Sequence, residues 1–176
     1  MKSQAETAGR LGNSIGARPQ KGTVLRDLEI TIADGTRRLL SSLRGSSSLV
    51  MIFAASQNLT AFLADLCSRK SALTEHNGRV LVVAENPGQF AAESSWQNDF
   101  CLLAMDAEGD LHRALGATDS AHIPIPTIYI TDRFGEVFAA FQNPNPAALP
   151  DAKEIIHWLE FIERQCEECS PPEWPE

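Results

Sequence analysis

The four cysteines and four histidines of this sequence are the side chains best suited to redox or metal chemistry. Cys166-Glu167-Glu168-Cys169 is the close pair: a C-x-x-C spacing lets two thiols form a disulfide or share a metal ion. Two thiolates do not close a tetrahedral zinc site, so a metal at Cys166 and Cys169 would need ligands from another chain. Cys67 falls on an apolar stripe with Leu59, Phe62, Leu63 and Leu66, where a free thiol behaves as a small buried hydrophobe. Cys101, within Phe100-Cys101-Leu102-Leu103, reads as a partly buried strand residue. His76, His112, His122 and His157 are scattered without the i, i+4 spacing of a metal-binding helix, so each is expected on the solvated surface.

Local electrostatics set the expected behaviour of the close pair. It follows the last helical stripe, at a helix C-terminus where the macrodipole is negative, among Glu163, Glu167, Glu168 and Glu173 with Arg164 as the nearby cation. Both features disfavour a thiolate, which predicts thiol pKa values above the ~8.5 reference and slow attack on peroxide. A bound metal ion would reverse this through its own charge. The pair is therefore expected to be a slow structural or regulatory dithiol, or half of an intermolecular metal site.

The elements that must position these groups follow from hydrophobic patterning. At 176 residues, with 43% hydrophobic and 22% charged composition, the chain suits one core without a disulfide or metal to hold it. Residues 1–20 lack periodicity and read as a flexible leader. From Lys21 a loosely alternating strand, the turn pair Asp34-Gly35 and residues 37–43 predict a hairpin leading to a short helical turn. The runs at residues 48–54 and 79–84 are continuously apolar after Ser48 and Arg79, as expected of strands buried on both faces. A helix is predicted over residues 58–74, a crossover helix over 87–96 and a short strand over 100–105. A short helix follows at 110–115, then strands at 127–131 and 136–141 about the turn Arg133-Phe134-Gly135. The last helix starts near Pro150 and carries Ile155, Ile156, Leu159, Ile162 and Cys166 on one stripe.

A βαβαβ half followed by Ile125-Pro126-Thr127, two strands and a terminal helix resembles the thioredoxin fold. Gly45 to Ser56, Ala114-Leu115-Gly116-Ala117 and Pro126 to Val137 resemble redoxins of the alkyl hydroperoxide reductase and thiol-specific antioxidant family over about residues 21–165. The resemblance implies an α/β thioredoxin-like fold: a central mixed sheet flanked by helices, with an N-terminal hairpin. Residues 166–176 would form a C-terminal C-x-x-C and Pro/Trp tail, whose Trp174, with Trp158, could cover an apolar patch on this chain or a partner. Pro126 would be the cis-proline facing the active-site loop.

Aligned through Phe53, the two cysteine positions of a thioredoxin-type C-x-x-C fall on Asn58 and Ala61, which form no thiolate. Asn58 is suited to capping the helix instead. A peroxiredoxin-type arginine would come from the strand at Pro126, which has no such group, and Thr60 lacks a neighbouring base in sequence. Conventional peroxiredoxin or thioredoxin activity at the first-helix site is thus not expected, and Cys166/Cys169 is the redox pair the sequence offers. The alternatives are a partner-binding module using the groove near Asn58 and Pro126, or the intermolecular metal site. No cofactor is implied. The net charge of −8, without a run of Lys or Arg, argues against nucleic acid, and no stretch is long enough to span a bilayer. A cytoplasmic protein with a protein partner or self-association is the expectation, its cysteines reduced there.

Overall fold

The sheet is assembled from the apolar runs that pattern alone picks out. The computed structural model describes residues 16–45, 47–55, 59–86 and 100–165. Its strands are β1 (Glu29–Ile32), β2 (Arg37–Leu39), β3 (Ser48–Ala54), β4 (Gly78–Ala84), β5 (Cys101–Met105), β6 (Thr127–Thr131) and β7 (Val137–Gln142). They form one seven-stranded mixed sheet in the order β2-β1-β5-β4-β3-β6-β7. The three strands β5, β4 and β3 run parallel, and the outer strands join them antiparallel. β3 is buried along its whole length because both its faces are covered, which is why it reads as an unbroken apolar run.

Alternation along β3 divides the core in two. Val50, Ile52 and Ala54 face the layer built by α1 (Thr60–Ser68), α2 (Lys70–Glu75) and α4 (Ala152–Glu163). Leu49, Met51 and Phe53 face the opposite layer, filled by Leu25, Ile30, Leu40, Leu43, Leu115 and Ala117. That second layer is closed by the N-terminal hairpin, the 3-10 turn Leu40–Leu43 and α3 (Asp110–Ala114). Thr36 donates its backbone N–H to Asp34 Oδ1 over 2.8 Å, and Gly35 takes φ +85°, so the Asp34-Gly35 turn forms as the sequence predicts.

The single helix predicted over residues 58–74 is two helices. Arg69, at ψ +33°, leaves the helical region between α1 and α2. Ser68 donates its hydroxyl to the Asp65 carbonyl over 2.7 Å, offering the backbone an alternative to the helix ladder. Residues 68–71 are all exposed, so no apolar contact pins a continuous ridge there. The final helix behaves as patterned: Asp151 Oδ1 accepts from Glu154 N at 2.8 Å, and Ile155, Leu159 and Ile162 are buried. Within the segment expected to be a leader, Gly16 N donates to Arg113 O and Arg18 Nη2 to Ala140 O. The crossover helix predicted over 87–96 lies outside the described residues.

Candidate functional site

Cys67 and Cys101 are joined by a disulfide that ties α1 to β5. The stripe of Leu59, Leu63, Leu66 and Cys67 turns the thiol of α1 toward the sheet, and the alternation of β5 turns Cys101 to the same side, where both enter the helix-covered core. Their side chains are 5% and 1% exposed, so solvent thiols have almost no line of approach. This corrects the reading of both cysteines as free thiols. It also corrects the expectation that redox activity at the first helix is unlikely: a disulfide-forming cysteine pair has one partner on that helix. The pair escaped detection because 34 residues separate the two cysteines, and only the β4-to-β5 crossover brings them together.

Within α1 the disulfide occupies the last turn, whereas Ala61, one of the two positions aligned with a thioredoxin-type pair, is in the first. Ala61 is exposed in that first turn, and Asn58 lies outside the described residues. Pairing of Phe53 with Thr127 places Pro126 one step beyond, beside the end of β3, where it is buried and its carbonyl accepts from Asn143 N. The Ile125–Pro126 bond is trans, as is every peptide bond among the described residues. That corrects the cis bond implied by the resemblance; trans is the ordinary preference of an X–Pro bond. Beside α1's N-terminal end lies a cavity of about 380 Å³ lined by Leu59, Phe62, Asn145, Pro146, Leu149 and Asp151, among others.

Two histidines depart from the predicted solvated surface. His112 is fully buried, its Nδ1 2.6 Å from Asp106 Oδ2, and its ring meets the Phe53 ring edge-on at 5.1 Å. His76 is half-buried, its Nδ1 2.8 Å from Glu163 Oε2. His122 and His157 are exposed. A signal for His112 is present in the sequence: Asp106 directly follows β5 and precedes the Gly109 turn, from where its carboxylate reaches the backbone N–H groups of Leu111 and His112 in the first turn of α3.

Cys166 and Cys169, with the metal reading attached to them, lie outside the described residues. Among the described residues no group of three or more His, Cys, Asp or Glu side chains could hold a metal ion. Among them, too, no helix is long and apolar enough to cross a membrane.

No family model and no curated protein matches the chain. Solved structures do. AhpC of Mycobacterium bovis superposes with a TM-score of 0.69 at 13% identity, covering 90% of this chain and 99% of its own. AhpC of Enterococcus faecalis gives 0.68 at 21% identity, over 81% of this chain and 92% of its own. Peroxiredoxin Q of Xanthomonas campestris gives 0.63 at 17% identity, over 78% and 93%. At these identities the similarity shows the fold, which is thioredoxin-like with an N-terminal hairpin.

Proposed function

We propose that this chain is a thiol–disulfide redox protein in which Cys67 and Cys101 are a working couple on a thioredoxin-like scaffold. The observation that carries the reading is the disulfide between α1 and β5. Asn58 and Ala61, at the positions aligned with a thioredoxin-type pair, carry no thiol, so exchange is assigned to the far end of the same helix. Cys67 and Cys101 are both buried, so the bond is shielded from bulky reductants. In reduction, an entering thiolate attacks Cys67 Sγ, the Cys67–Cys101 bond breaks, and Cys101 leaves with the electron pair and takes a proton. A second thiolate then frees Cys67 as a thiol, and the donor leaves as its own disulfide.

The C-terminal Cys166/Cys169 pair is kept as a second dithiol, carried on a 166–176 tail after a redoxin-like domain over 21–165. In a cytoplasmic setting glutathione would supply the electrons, with burial slowing its access. Differential alkylation of native protein followed by mass spectrometry tests the couple. Cys67 and Cys101 should be protected until a strong reductant is added, and the reduced protein should recover protection on treatment with hydrogen peroxide. Alkylation of both in unreduced native protein would remove the reading.

The cavity beside α1's N-terminal end favours a second reading, a partner-binding module that assembles beside the partly exposed Phe62. Sedimentation distinguishes it: concentration-dependent assembly lost in Phe62→Asp supports docking there, and the same assembly state in both proteins removes it.

A further inference from the structure

We propose that an aromatic groove on α4 docks a proline-rich segment of a partner protein, its arginine on Glu154 and a proline three residues further on against Phe161. The groove is built from rings. Trp158 and Phe161 meet edge-to-face at 5.9 Å, and the contacts run on to β7, from Trp158 to Phe141 at 6.3 Å and from Phe161 to Phe138 at 6.4 Å. Phe138, Phe141 and Trp158 back onto the helix-covered core, while Phe161 stays 46% exposed at the outer end of the ladder. Beside these rings lies a cavity of about 290 Å³ lined by Trp158, Phe161, His157, Glu154 and Lys21.

Three observations select the occupant. The free edge of β7 is already taken by the chain around Lys21: Val137 N donates to Thr23 O at 2.9 Å, Gly22 N to Val137 O at 2.8 Å, and Arg18 Nη2 to Ala140 O at 2.9 Å. A partner strand has no ladder to extend there, so the occupant is read by its side chains. The second observation is charge. The Glu154 carboxylate makes no ion pair among the described residues, whereas Arg164 is paired with Glu160 and Lys21 lies within Coulombic range of Glu136. A carboxylate one helical turn from an indole suits a guanidinium, which offers its fork to the oxygens and its plane to the ring. Third, the Trp158 indole N–H bonds nothing among the described residues. A helix or strand uses its own carbonyls internally, but a polyproline II segment leaves them free to accept from that donor.

The spacing agrees. Glu154, Trp158 and Phe161 stand at i, i+4 and i+7 on one face of α4, which puts Glu154 and Phe161 about 10.5 Å apart along the helix axis. Polyproline II rises about 3.1 Å per residue and returns to the same side at every third, so residues three apart lie on one side at a separation of about 9.3 Å. An Arg-x-x-Pro spacing therefore sets the guanidinium over Glu154 and Trp158 while the proline ring packs on Phe161. Same-side residues of an extended strand, about 6.7 Å apart, match neither end.

The test titrates the full chain into the fluorescein-labelled peptide Pro-Pro-Arg-Pro-Pro-Pro-Pro and follows fluorescence anisotropy. Wild type should bind it at sub-millimolar concentration. Glu154→Gln and Phe161→Ala, both at exposed positions and checked for folding by circular dichroism, should each weaken binding roughly threefold or more. A peptide with alanine in place of arginine should bind wild type correspondingly less well and be indifferent to Glu154→Gln. One with glycine in place of the proline three residues after the arginine should lose its sensitivity to Phe161→Ala. Absence of wild-type binding at about 1 mM overturns the proposal, as does binding that Phe161→Ala leaves unchanged or a Glu154→Gln effect that persists with the alanine peptide. Concentration-dependent dimerisation of the chain that is lost in Phe161→Ala gives the groove to a second copy and overturns it too.

Discussion

His112 Nδ1 and Asp106 Oδ2 lie 2.6 Å apart with both side chains buried. The same carboxylate accepts the backbone N–H of Leu111 at 3.0 Å and of His112 at 2.9 Å, so one side chain satisfies three donors at the start of α3. Removing it leaves the two buried donors of His112 and the part-buried N–H of Leu111 without that acceptor, each buried one costing roughly 1–3 kcal/mol where nothing replaces it. Asp106→Ala is expected to lose about 3 kcal/mol or more in urea unfolding. Asp34→Ala, which removes an acceptor from the exposed Thr36 turn, should lose less than about 1 kcal/mol. Equal losses would show that Asp106 does not anchor α3.

The disulfide also bears on stability. Its 34-residue sequence separation corresponds to about 3–4 kcal/mol of denatured-state chain entropy. A strong reductant should therefore lower the urea midpoint of wild type and leave Cys67→Ala/Cys101→Ala unmoved. A reductant effect of the same size in the double variant would assign it elsewhere.

Leu159 over Gly78 is a packing contact that one methyl group can probe. Gly78→Ala places a carbon against Leu159 Cδ1 and near the Leu73 carbonyl, at 2.6 and 3.3 Å, and should cost about 1–3 kcal/mol. Leu159→Ala alone should cost about 2–5 kcal/mol by leaving a cavity. The double variant should be more stable than the sum predicts, because the new methyl enters the vacated space. Additivity within ~0.5 kcal/mol would mean that the two residues do not press on each other.

These contacts mark what a linear reading reaches. The strands were legible because burial on both faces leaves β3 and β4 almost no polar positions, and the hairpin because Asp34-Gly35 has the turn chemistry that β1 and β2 need. Cys67 was correctly placed on a buried stripe, yet its partner is set by sheet order, which periodicity does not encode. His112 was misread for a related reason. A polar residue is buried when a partner meets it, and Asp106 does so only after the Gly109 turn folds α3 back. The break at Arg69 turns on a hydroxyl-to-carbonyl bond, a local competition that an apolar stripe does not reveal.

Tyr129 gives a prediction in pH whose sign is fixed by burial. Its O–H donates to the Leu115 carbonyl at 2.7 Å, and its ring meets Phe53 edge-on in the layer opposite the disulfide. Burial pushes the phenol up from 10.0 to about 12, with the Arg18 guanidinium pulling against it. The neutral form is thus favoured in the folded state, while the unfolded chain ionises near 10. Stability from this group is fully present below pH ~10 and falls as pH rises to about 12, by on the order of 2 kcal/mol. Because Tyr129 is the sole tyrosine, tyrosinate absorbance reads it directly. The folded protein should titrate near 12 and the urea-unfolded protein near 10, and Tyr129→Phe should lose the alkaline fall in stability. A folded midpoint near 10 would mean that the hydroxyl is hydrated, and that Arg18 and the Leu115 carbonyl do not seal this side of the core.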